Sequence, residues 1–368
     1  MPIRVLHIIG NLKFGGAEIC VKRLVENFSG NKVEAFVYPL RSGAAEIDIN
    51  ANVITNSYRS YDPRKFFDIL NICKEKKIDI IHAHLEKPVI AALLGTFFNN
   101  IPVIIHEHGS IDLPGFNNSC YRQMLRLFHK RASAFIAVSG VMKESLQQKA
   151  KIAADKIQVI YNSVDFDLFV PDGNKRKEIR DSLNIADDKI ILGFSGRLDK
   201  VKGADIAITA LAKLNTTSKN YHLLIAGEGL QRKSFEYLAS NLGVINEVSF
   251  LGFRDDMPAV INAFDVGLIP SRYEAFGISA VEMMRMKVPV ICSAAGGLIE
   301  IVTDNQNGLV SASNSPQEFA ENIEKLFKDS KFRQELVDNA HTFAEKFSIP
   351  EQVTSVEYLY DRLFNRLK

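Results

Sequence analysis

The stretch Val266-Gly267-Leu268-Ile269-Pro270-Ser271-Arg272-Tyr273-Glu274-Ala275-Phe276-Gly277-Ile278-Ser279-Ala280-Val281-Glu282 holds one unit of the fold in seventeen residues. Four consecutive apolar residues without alternation describe a strand buried on both faces. Pro270 ends it, a polar loop follows, and a helix begins near Gly277. Glu274 then stays on the loop and Glu282 falls on the helix. The amides of Phe276, Gly277 and Ile278 between them would form a nest for an anion or a hydroxyl. Two carboxylates around such a nest suit vicinal diols, although a loop charge and a helix-surface acid would read the same way.

Working outward, the same strand–loop–helix pattern recurs twice. Predicted strands in the first half are Arg4–Ile9, Glu34–Leu40, Ile78–Ala83, Val103–His106, Ala134–Val138 and Ile157–Tyr161. In the second half they are Lys189–Gly193, Tyr221–Ala226, Glu247–Leu251, Val266–Ile269, Val288–Cys292 and Gly308–Val310. Alternation with helices implies parallel sheets wrapped by helices. The break at Tyr161–Asn174, with Pro171, Asp172 and Gly173, divides the chain. The expected fold class is therefore α/β, two doubly wound Rossmann-like domains facing across a cleft, with ligands beyond the carboxyl ends of the strands. A length of 368 residues agrees, because single cores stop growing near ~250–300 residues.

Composition excludes several classes. Hydrophobic residues at 46% and charged residues at 24% rule out a disordered chain, and a net charge of +2 argues against a nucleic-acid-binding protein. The balance is uneven, with 21 basic and 15 acidic side chains in residues 1–165 against 24 and 28 in the rest. A basic front half points to an anionic partner, either a phosphorylated substrate or a membrane face. Cys20, Cys73, Cys120 and Cys292 form no CxxC pair, which fits a reducing cytosol. No stretch reaches the ~20 apolar residues of a spanning helix, and the N-terminus reads as a strand rather than a signal peptide.

Three further clusters carry chemistry. Gly15 and Gly16 follow the first strand and open a helix, so a phosphate could approach their amides; a tight turn is the competing reading. Arg197 and Lys202 lie past the strand Lys189–Gly193, where two cations could neutralise a diphosphate, or merely line a solvated loop. His82 and His84, then His106 and His108, end predicted strands, and alternation puts each pair on one face. Four imidazoles could bind a metal, but strand-end histidines more often bond to backbone or substrate.

The spacing Glu274-x7-Glu282 resembles glycosyltransferase family 4, the retaining sugar-nucleotide transferases of GT-B fold. So do Gly15-Gly16-Ala17-Glu18, Asn162-Ser163-Val164-Asp165 with Phe169, Gly196-Arg197 with Lys202-Gly203, Gly227-Glu228-Gly229, Gly252-Phe253, and Gly296-Gly297 with Glu300 and Asn307-Gly308. They keep the family's order from Val5 to Val310.

The resemblance implies an N-terminal acceptor-binding domain (1–170) and a C-terminal sugar-nucleotide-binding domain (171–350). A final helix (351–368) either caps the second domain or crosses back to the first. It implies that Glu282 holds the ribose hydroxyls and Glu274 those of the donor sugar. Arg197 and Lys202 would clamp the diphosphate, Ala275, Phe276, Gly277 and Ile278 would assist through their amides, and Gly15 and Gly16 would close over the phosphates. Phe253 would lie beside the nucleobase. His108, Arg197, Lys202 and Glu274 are the expected catalytic residues, with His84, Glu107 and His108 on the acceptor side.

The expected enzyme moves a hexose or N-acetylhexosamine from a UDP- or GDP-sugar, with retention and with no metal or cofactor. Its acceptor would be a glycan or a lipid-linked hydroxyl in cell-surface polysaccharide assembly. The rivals are a sugar-nucleotide epimerase, a phosphorylase-like protein and a non-catalytic nucleotide-sugar-binding module. The basic, apolar segment Asn117–Arg131, with Tyr58–Tyr61 and Arg64–Phe67, reads either as a surface for peripheral contact with an anionic membrane or as a core-packed helix. The expected location is the cytoplasm, at or near the inner face of a membrane.

Overall fold

The structure, a computed structural model, describes residues 1–13, 15–41, 47–55, 64–96, 99–109, 111–112, 116–214 and 220–366. Tyr58–Tyr61 and Phe14 lie outside them, as do the side chains of Lys65, Phe116 and Asn117. The chain divides into two compact units: Met1–Ser163 with Phe347–Lys368, and Val164–Lys346.

The first unit is built on a parallel sheet of β1 (Ile3–Ile9), β2 (Val33–Pro39), β3 (Asn52–Val53), β4 (Ile80–His84), β5 (Val103–Glu107), β6 (Ala134–Ala137) and β7 (Ile157–Val159), in the order β3-β2-β1-β4-β5-β6-β7. Central strands bury every residue, as β4 and β5 do, because helices cover both faces. On one face the C-terminal helix Ile349–Asn365 packs Val353, Val356, Leu359, Tyr360 and Leu363 against Ile3, Val5, Ile80 and Ile104. Pro350 in its first turn, where a missing N–H costs nothing, suits that start.

The second unit holds β8 (Ile190–Ser195), β9 (Tyr221–Ala226), β10 (Val248–Gly252), β11 (Val266–Ile269), β12 (Val290–Ser293) and β13 (Leu309–Ser311), all parallel, in the order β10-β9-β8-β11-β12-β13. The helix Ile278–Arg285 packs so closely on β11 that a Cβ at Gly267 would lie 2.2 Å from Met283 Sδ. Each sheet changes winding direction once, between β1 and β4 and between β8 and β11. Ligands of doubly wound sheets bind at such switch points, beyond the strands' carboxyl ends. Among the described residues no helix is long and apolar enough to cross a membrane.

Candidate active site

In the second unit, the loops after β8 and β11 meet at the switch point. Lys202 Nζ donates to Glu274 Oε2 at 2.6 Å, and Ser271 Oγ donates to the same oxygen at 3.2 Å. Both partners are only partly exposed, at 26% and 14% of their side-chain surface, so the pair is less screened than a surface ion pair. Asp199 builds the Lys202 loop: its Oδ1 accepts from the amides of Val201 (2.9 Å) and Lys202 (3.0 Å). Its other oxygen takes Arg197 Nε at 2.7 Å, and Arg197 is otherwise two-thirds exposed. Arg272 stitches the two loops, donating to Lys200 O at 2.7 Å and forking onto Asp205 at 2.9 and 2.7 Å.

Glycine is required at two points. Gly277 caps the helix Ile278–Arg285 with φ +105°, and a Cβ there would lie 2.5 Å from Leu298 Cδ2. It supplies no side-chain cap, so the helix N-terminus carries its partial positive charge without a side-chain acceptor at the cap position. Gly296 has φ +55°, with room for no Cβ against Glu274 O, and the Gly297 amide donates to that carbonyl at 2.8 Å. The Gly296-Gly297 loop thus braces the 274–277 turn from behind. Glu282 sits at the start of the second helical turn, half-buried, and Phe276 is buried. Phe253, 55% exposed, follows Gly252, whose carbonyl accepts the Gly227 amide at 2.8 Å.

In the first unit, the register sets His7 opposite His82 and His84 opposite His106. His84 Nε2 lies 3.1 Å from His7 Nδ1, and His84 Nδ1 lies 3.2 Å from His108 Nε2. Burial drives the basicity of all five down: His7 to about 3, His108 to about 4, and His82, His84 and His106 well below the ordinary value. Each of the last three is lowered further by the neighbouring imidazoles. His108 is half-buried and remains able to meet a substrate, whereas His84 is fully buried. His84 therefore supports His108 from behind and does not contact an acceptor, contrary to expectation.

Glu107 is corrected as well. It is fully buried, accepting from the amides of Gly109 (3.1 Å) and Ile111 (3.3 Å) and from Tyr121 Oη at 2.9 Å. Its carboxylate holds the loop that carries His108 and, fully buried, is not exposed to an acceptor. Gly15 has extended backbone that any residue adopts, so a positive φ is not its reason. The Glu18 carboxylate folds back over it, in the place a Cβ would need, and burial raises that carboxyl's pKa. Of the basic segment, Tyr121 and Leu125 enter the core, while Arg122, Arg126 and Arg131 donate to the main-chain carbonyls of Ile111, Lys149, and Thr96 and Asn99. Leu127 and Phe128 remain exposed.

His7, Asp199, Ser271 and Arg272 were not expected. For His7 the available signal was its alignment with His82, visible only once β1 and β4 are known neighbours.

Comparison with known proteins identifies the family and the fold. Residues 14–168 match the family described as "Glycosyltransferase Family 4" and residues 175–343 that described as "Glycosyl transferases group 1". An uncharacterized glycosyltransferase of Methanocaldococcus jannaschii, MJ1178, is 30% identical over 298 residues, covering 80% of this chain and 78% of that one. Another from that organism, MJ1607, is 36% identical over 210 residues, which span 56% of this chain and 53% of that protein. The crystal structure of Anabaena HepE in complex with UDP superposes with a TM-score of 0.85 at 25% identity, over 98% of this chain and all of that one. With two matched halves, the shared fold and the relatives in agreement, the chain belongs to the family 4 glycosyltransferases of GT-B fold.

Proposed function

We propose that the protein moves a hexose or N-acetylhexosamine from a UDP-sugar to a hydroxyl of a glycan or lipid-linked acceptor, with retention at the anomeric carbon. The carrying observation is the Lys202–Glu274 pair beside a helix N-terminus without a side-chain cap, at the switch point of the second sheet. The likeness to the UDP-bound Anabaena protein supports uridine as the base.

Breaking the anomeric C–O bond builds positive charge on the sugar and negative charge on the departing diphosphate. Lys202, Arg197 and the amides at the start of the Ile278–Arg285 helix would stabilise the second, the larger electrostatic contribution to catalysis. Glu274, held by Lys202 and Ser271, would accept from donor-sugar hydroxyls, and Glu282 from the ribose. The chemistry as proposed uses protein cations in place of a metal. The leaving phosphate would take the acceptor's proton, because Glu107 is committed to its loop. Leu127 and Phe128, exposed beside Lys130, are where a membrane carrying a lipid-linked acceptor would be met.

The test is to incubate the protein with UDP- and GDP-sugars, alone and with oligosaccharide or lipid-linked acceptors. UDP release and a product keeping the donor's anomeric configuration are expected. Release of GDP alone would reassign the base, and an inverted product would remove retention. Intact nucleotide sugar under every condition would favour the binding module.

A further inference from the structure

The imidazoles of the first unit form one connected chain ending on the C-terminal helix. His108 Nε2 meets His84 Nδ1 at 3.2 Å, and His84 Nε2 meets His7 Nδ1 at 3.1 Å. His7 Nε2 meets Tyr360 Oη at 3.3 Å, and Tyr360 Oη meets His82 Nδ1 at 2.6 Å. Burial keeps the four imidazoles neutral and holds the Tyr360 hydroxyl protonated. Each of the five groups therefore brings one proton to a chain of four links. One proton is left for an end, so the chain has just two polarities: every imidazole carries its proton on Nδ1, or every one carries it on Nε2.

Two features bear on the choice: the all-Nε2 polarity leaves the spare proton on His82 Nε2, a buried nitrogen with no partner among the described residues, and the contacts of Tyr360 weigh against that cost. A hydroxyl is the stronger donor, and O–H donors give shorter bonds than N–H donors. Its proton belongs on the 2.6 Å contact to His82, and the 3.3 Å contact is then an N–H of His7 donating to the phenol oxygen. His7 Nδ1 must accept from His84 Nε2, and His84 Nδ1 must accept from His108 Nε2.

We propose that this chain fixes His108 as a hydrogen-bond acceptor, its bare Nδ1 offered to a neutral hydroxyl, with Tyr360, His7 and His84 as positioning residues. That the hydroxyl belongs to a sugar rests on the proposed function; the polarity rests on the geometry alone. A bare, weakly basic nitrogen can orient a hydroxyl without removing its proton, and the reverse polarity would present an N–H instead. Metal binding is the competing use of these groups, since one ring nitrogen from each of His7, His82 and His84 lies within 4.8 Å of the others, and so does one ligand atom from each of Cys20, His106 and His108. His7 and His84, however, already commit both ring nitrogens to the chain.

Long-range 15N NMR of the histidine-labelled wild-type protein at neutral pH reads the polarity directly, without any turnover. All four rings, His7, His82, His84 and His108, are expected as Nε2–H tautomers. Four Nδ1–H tautomers, or a stoichiometric metal ion retained by the purified protein, would overturn the proposal. Tyr360→Phe keeps the buried ring but removes the link that sets direction. His108 should then appear as a mixture of tautomers. Turnover should fall about three- to tenfold, the worth of one neutral hydrogen bond, at unchanged KM for the donor. A pure Nε2–H signal for His108 in that variant would also reject the chain. Because the wild-type spectrum stands without activity, failure of the functional reading leaves this test intact.

Discussion

The two units solve the same topological problem with opposite chemistry. Each sheet reverses its winding once, between β1 and β4 in the first unit and between β8 and β11 in the second. At the first reversal the side chains are imidazoles, roofed by Tyr360 of the C-terminal helix and kept neutral by burial. At the second they are a lysine and a carboxylate on glycine-braced loops, with a second carboxylate, Glu282, on the helix that follows, all still reached by solvent. The difference follows from what covers each place. A helix that packs across a sheet face excludes water and penalises charge. A turn with no Cβ at Gly277 and Gly296 leaves amides and charges open to an anionic ligand. Under the proposed function, recognition of a diphosphate would fall to the second arrangement and orientation of a neutral group to the first.

Acid should break this comparison with the largest effect. Five histidines of the first unit have folded-state basicities far below their ordinary value, against one in the second, His222, lowered to about 4. Between these values and the unfolded pKa near 6.5 the unfolded chain binds more protons, so stability falls as pH falls through that window. Each histidine that titrates only on unfolding contributes about 1.4 kcal/mol per pH unit. Hydrogen exchange between pH 7 and pH 4.5 should show β1, β4 and β5 losing protection before β8 and β11. Loss in the reverse order, or none, would show that the cluster is already charged or open.

The sequence made the layered architecture legible, because continuous apolar runs such as Ile78–Ala83 and Val266–Ile269 are strands in any context that buries both faces. β3 left no trace, as two residues, Asn52 and Val53, carry no pattern. At the sites, residue types were readable and contacts were not. Lys202 and Glu274 stand 72 positions apart and meet because β8 and β11 are neighbours, which only the strand order reveals. The errors at His84 and Glu107 share a cause. A polar residue at a strand end looks ligand-facing in sequence, yet the turn at Gly109 folds back and offers two main-chain amides to Glu107. Tyr360 was invisible as a partner of His82 because it lies on another element 278 residues away.

The next largest effect should separate the units by function. Lys202→Ala removes the cation nearest Glu274 while leaving the loop's Asp199 bonds to main-chain amides intact. Turnover with a UDP-sugar is expected to fall by about 10²–10³, as when one preorganised donor to developing charge is deleted. Thermal stability should change by far less than turnover, about 1–2 kcal/mol, because the shielded Glu274 carboxylate loses its cation but keeps Ser271 as a donor. Equal loss of activity and stability would instead make Lys202 a structural residue, and the contrast with the buried imidazole cluster would fail.

Glu107 provides the smaller, opposite case. Its carboxylate meets three donors in a dry interior, so Glu107→Ala strands the amides of Gly109 and Ile111 and the hydroxyl of Tyr121. Partial rehydration of the opened space would satisfy some of them, and a net loss of about 2–3 kcal/mol is expected in chemical denaturation. Glu107→Gln separates shape from charge. Its amide oxygen can still accept from both main-chain amides, while its NH₂ group can donate to the Tyr121 oxygen only if that hydroxyl turns its proton elsewhere. The glutamine variant should therefore retain most of the stability and leave the His108 loop in place, with donor binding at the second unit unchanged. If glutamine were as damaging as alanine, the negative charge itself would be holding the loop. The neutral imidazole cluster would then lean on a buried anion whose charge, and not only its shape, keeps His108 in place.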